Sequence, residues 1–102
     1  MWVNTPTTFF RIPSIFQSED LMEAKHKDKF LIEFGKRLSE LRKKKNLSFR
    51  QLAALCDVDY SDIKKYEKGM KDLRLTTAVD LATGLGVHPT ELLKIDLDFL
   101  EL

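Results

Sequence analysis

SFRQLAALCDVDYSDIKKYEKG, residues 48–69, reads as two short helices joined by a tight turn. Ser48 is a good helix cap, and Gln51 three residues on can close a capping box. Phe49, Leu52, Ala53 and Cys56 then recur at helical spacing and make one apolar face. Asp57, Val58 and Asp59 interrupt that run, and short acids tolerate turn geometry. Asp59 can cap a second helix with Asp62 in its first turn, where both acids suit the positive end of the helix dipole. Ile63 and Tyr66 carry its apolar side, and Gly69 suits the exit. Two short helices joined this closely cannot bury their apolar faces alone, so flanking helices must supply the rest of a small all-helical core.

On either side of this stretch and within it, FGKRLSELRKKKNLSFRQLA at residues 34–53, IKKYEKG at 63–69 and LATGLGVHPTELL at 81–93 agree in order and spacing with one pattern. Together they resemble the lambda-repressor-like (Xre/Cro-type) helix-turn-helix family over Phe34 to Leu93. The resemblance implies an all-α fold, a compact five-helix DNA-binding domain at residues 21–94. An irregular extension at 1–20 would precede it, and a short acidic and apolar tail at 95–102 would follow. It also implies double-stranded DNA as partner, homodimerisation, and an Arg–Glu pair that falls here on Arg42 and Glu67.

Charge is distributed as such a function needs. The chain carries a formal charge of only +1, but residues 36–74 hold +6, against −1 before them and −4 after them. The basic excess sits on the helix pair and its flanks, where phosphate contact requires it. Hydrophobic content of 43% with 32% charged residues belongs to a soluble globular protein. The single cysteine excludes an internal disulfide and argues against a cysteine-based zinc site, so a reducing cytoplasm is the expected location.

Within the second helix of the motif, expected at about Tyr60 to Lys68, Ile63 and Tyr66 point inward and leave Tyr60, Ser61, Lys64, Lys65 and Lys68 outside. By resemblance the start of this helix meets base edges. Tyr60, Ser61 and Lys65 are the matching positions, and Lys64 is a further candidate. Lysine can donate to guanine, serine to several bases, and tyrosine offers a hydroxyl and an apolar ring. Phosphate contacts are expected from Lys43, Lys44, Ser48, Arg50, Lys68, Lys71 and Arg74. Three departures stand out: Phe49 where the family often has Gln, Asp57 where it often has Gly, and Leu73 where it usually has Pro.

The first helix is expected from about Leu21 to Lys45, capped by Asp20, with Phe30, Phe34, Leu38 and Leu41 as its core stripe. Gly35 would allow close helix approach, and Asn46 would be the exit. A fourth helix at about Thr76 to Leu85 should bury Val79, Leu81, Ala82 and Leu85 and end at Gly86. Pro89 should open a fifth, through Lys94, with Leu92 and Leu93 inward and His88 as a cap or surface residue. In the tail, Ile95, Leu97 and Phe99 alternate with acids, which suggests a strand or an extended segment packed elsewhere. The apolar, proline-broken residues 1–18 fit a flexible arm, a hook on the domain or a second subunit, or a start codon placed too early, ahead of Met22.

No catalytic constellation, phosphate-binding glycine loop, metal-ligand spacing or membrane-spanning stretch is present in the sequence. The expectation is a non-enzymatic transcription regulator without cofactors, most often a repressor. The alternative is a protein-interaction module or antitoxin-type component that keeps the fold and acts through a toxin or another regulator.

Overall fold

A computed structural model describes the backbone of residues 13–98 and the side chains of residues 26–98. The apolar arm through residue 12 and Phe99 in the tail lie outside the described residues, so neither expectation is addressed there.

Five helices occur among the described residues: α1 (Pro13–Lys44), α2 (Phe49–Cys56), α3 (Tyr60–Glu67), α4 (Leu75–Leu85) and α5 (Pro89–Leu92). The all-α expectation holds, with α1 starting before its expected cap at Asp20. Proline breaks a helix interior but suits its first position, where its missing N–H would have no partner, and Pro13 occupies that position. The helix ends with Arg42, Lys43 and Lys44 in its last turn, favourable against the dipole, and Asn46 leaves it at φ 57°.

The core is assembled from one stripe per helix. Phe34, Leu38 and Leu41 of α1, Leu52 and Cys56 of α2, Ile63 and Tyr66 of α3, Leu81, Ala82 and Leu85 of α4 and Leu92 of α5 form one buried cluster, with Phe30 against its margin. Helix α3 packs on α1, and α2 on α4. Both contacts need glycine. A Cβ at Gly35 would lie 2.5 Å from the carbonyl oxygens of Tyr66 and Glu67, and one at Gly84 would lie 2.7 Å from Cys56 Cβ. Gly86 leaves α4 in the left-handed region, as the sequence suggested.

Two apolar assignments are corrected. Val79 is 42% exposed, because Ala78, Leu81, Ala82 and Leu85 stand at i, i+3, i+4 and i+7 and take the inward face. Leu93 is 49% exposed: α5 ends at Leu92, one residue step from the buried side. Residues 94–97 carry no regular structure, so no strand forms in the described part of the tail. His88 caps α5, its Nδ1 accepting from Thr90 N–H at 3.2 Å.

Candidate nucleic-acid interface

The interface is built on the α2–α3 turn. Ser48 Oγ accepts from Gln51 N–H at 3.1 Å, while Gln51 Oε1 accepts from Ser48 N–H at 2.8 Å, closing the expected capping box. Asp57 then turns the chain at φ 56°, the left-handed conformation that the family's glycine adopts without steric cost. Asp59 caps α3, accepting from both the N–H and the hydroxyl of Ser61 at 3.2 Å. Two acids of the turn are therefore engaged in local geometry.

Helix α3 is held from behind by a buried ion pair. Arg42 Nε donates to Glu67 Oε2 at 2.6 Å and its second terminal nitrogen donates to Oε1 at 3.0 Å, a bidentate fork. The remaining guanidinium nitrogen donates to the Leu47 carbonyl at 2.8 Å. The two side chains are 10% and 7% exposed, so the charges are desolvated and depend on each other. This arrangement matches the pair that the resemblance implied, and it fixes α3 against the end of α1.

On the outer side, Ser61, Lys64 and Lys65 are exposed, and Tyr60 is half-buried at the start of the helix. Lys68 is exposed at its C-terminal cap. Ser48 and Arg50 are exposed at the start of α2, Lys43 and Lys44 at the end of α1, and Arg74 just before α4. Lys71 is less free: its Nζ donates to Asp62 Oδ1 at 2.9 Å and stands 5.8 Å from the Tyr66 ring. The hydrogen bond to Asp62 raises the Lys71 pKa and holds its ammonium charged. The same contact occupies a carboxylate oxygen of Asp62.

Phe49, a departure from the family pattern, has a role that sequence reasoning missed. The Arg42 guanidinium lies 4.1 Å from its ring centroid and Lys64 Nζ lies 5.6 Å from it. Helical periodicity carries no signal for a contact among three separate helices. The Arg37 clasp on α5 was equally hidden: Arg37 donates to the Glu91 carbonyl at 2.7 Å and to its carboxylate at 3.2 Å.

Cys56 is buried, and burial pushes its thiol pKa up, which suppresses the nucleophilic thiolate. No cluster of three potential metal ligands occurs among the described residues, and none of their helices is long and apolar enough to cross a membrane.

The helix-turn-helix family profile matches residues 38–92, from the core of α1 through α5. The chain belongs to the lambda-repressor-like (Xre/Cro-type) helix-turn-helix family. DNA binding in transcription regulation is the coarse function that membership carries. Among solved structures, the restriction-modification controller protein C.AhdI from Aeromonas hydrophila is 42% identical, with a TM-score of 0.60. The match covers 61% of this chain and 94% of that one. No curated protein matches.

Proposed function

We propose that this helix-turn-helix protein is a cytoplasmic repressor that binds as a homodimer, each copy laying α3 in the major groove of one half-site. The observation that carries the reading is the exposed Ser61, Lys64, Lys65 and Lys68 surface on a helix clamped by the buried Arg42–Glu67 pair. A rigid cationic helix face meets a groove without paying for its own ordering. Tyr60 and Ser61 open α3 and Lys65 lies in its last turn; these three meet base edges, and Lys43, Lys44, Ser48, Arg50, Lys68 and Arg74 contact phosphates around them. Lys71 joins that set by exchanging Asp62 for a phosphate. Resemblance to a restriction-modification controller supports a regulatory target of that kind, namely the genes of a restriction-modification system.

The test is selection of bound duplexes from a random pool by the full chain, followed by titration at several salt concentrations. Two related half-sites with centres about 34–36 Å apart are expected. Affinity should fall with salt, at a log–log slope of about −0.9 per phosphate contacted. Sedimentation of the complex should give two protein copies per selected duplex. Retention without sequence enrichment would overturn the reading in favour of a protein-interaction module.

A further inference from the structure

A row of alternating cations and rings runs across the start of α2 and α3. Arg42, fixed by Glu67, lies over Phe49 at 4.1 Å. Lys64 Nζ stands 5.6 Å from the Phe49 centroid and 5.5 Å from that of Tyr60, almost equidistant. The Arg50 guanidinium lies 4.5 Å from the Tyr60 ring. Ser48, Phe49, Arg50, Tyr60 and Lys64 line one open groove. Two cations thus share a single groove with aromatic walls and no carboxylate in its lining.

The geometry points to this groove as a seat for one phosphodiester of the DNA backbone, with Arg50 and Lys64 as its ligands and Phe49 as the residue that positions Lys64. The inference rests on the DNA-binding reading and changes it at one residue: Lys64 contacts backbone and not base. A lysine lodged between two rings is drawn toward the groove that they line, a groove that Lys65 does not line. A groove lined with two positive groups and no negative one attracts a compact anion. Two cations lining one opening suit a phosphate's several acceptor oxygens better than a base edge with two. Phe49 cannot donate a hydrogen bond to phosphate as a side-chain amide at that position could; its ring instead holds the Lys64 charge beside the α2 start.

The experiment uses the full chain and three kinds of duplex: the selected site, its single-base variants, and an unrelated sequence. Affinity is measured at several salt concentrations for the wild-type chain, Lys64→Ala, Lys65→Ala, Phe49→Leu and Phe49→Tyr. For Lys64→Ala the expected result is a fall of about 5- to 10-fold, the same factor for every duplex. Its salt slope should shrink by about 0.9, one phosphate's share, with base preference unchanged. Phe49→Leu should lose the same slope increment while keeping its helical circular dichroism, and Phe49→Tyr, which keeps the ring face, should restore it. Lys64→Ala is exposed and carries the test if Phe49→Leu fails to fold. Altered preference at one base position with an unchanged slope in Lys64→Ala would overturn the inference. A wild-type chain that binds no duplex would overturn the DNA-binding reading and the seat with it, whereas wild-type binding with a Lys64→Ala slope left intact would sink the seat alone.

Discussion

Single residues set the geometry of the turn and the clamp behind it. Glu67 accepts two hydrogen bonds from an Arg42 that is almost out of water, so Glu67→Ala would strand a buried guanidinium. Breaking such a pair costs about 3–5 kcal/mol, a large share of the stability of a small domain. Thermal or urea denaturation should show that loss, and an unchanged midpoint would mean the pair contributes nothing net. Asp57 works in the opposite direction. It holds φ 56° and puts a carboxylate at the C-terminal, negative end of α2. Asp57→Gly removes both the left-handed strain and that charge, and should stabilise by up to about 1 kcal/mol despite glycine's greater entropy when unfolded. It should also strengthen binding to unrelated duplexes, read as a lower dissociation constant at fixed salt, because a negative charge leaves the proposed DNA-facing side. Both residues were legible before any coordinates, since Glu67 lies in a motif of fixed spacing and Asp57 in a break between two apolar periods. Phe49 was legible only as a departure, because a stack between helices has no trace in spacing along one.

At the level of elements, what matters is how closely the helices approach. The carbonyl oxygens of Tyr66 and Glu67 lie where a side chain at Gly35 would stand, so α1 and α3 touch backbone to side-chain position. Gly35→Ala cannot be absorbed by rotating a flexible side chain, since the obstructing atoms are main chain. It should cost about 1–3 kcal/mol or more and loosen α3. Denaturation measures the first effect, and faster amide exchange in α3 than in α4 would show the second; equal protection in both helices would argue against a local cause. The element boundaries show where sequence reading reached its limit. Proline serves as a breaker or as a first helical residue, and only the fold distinguishes them, as at Pro13. Val79 and Leu93 are apolar residues at the edges of helical stripes, and one residue step of rotation takes each out of the core. Where periodicity ran through several turns, as at Phe34, Leu38 and Leu41 in α1, inward residues were identified correctly.

Across the whole molecule, the short α5 must be held to the first helix for the core to close over Leu92, which is fully buried. Arg37 spans that junction with hydrogen bonds to the Glu91 carbonyl and carboxylate, and Lys94 adds a 2.7 Å contact to the same carboxylate. Hydrogen bonding from Lys94, followed by the charges of Lys94 and Arg37, pulls the Glu91 pKa below its usual value. The folded chain therefore binds fewer protons at Glu91 than the unfolded chain does in the carboxylate range. Its stabilising contribution is present above the unfolded carboxylate pKa and disappears as pH falls through the lower, folded value. Asp72, drawn down chiefly by its hydrogen bond from Lys27, acts in the same direction. Stability should thus decline on acidification, and Glu91→Gln should flatten part of that decline while leaving the Arg37 bond to the main-chain carbonyl available. Parallel urea titrations of both chains at neutral and acidic pH measure the difference. Identical pH profiles would mean that the carboxylate does not help to close the fold, and that burial of Leu92 with the main-chain contact suffices.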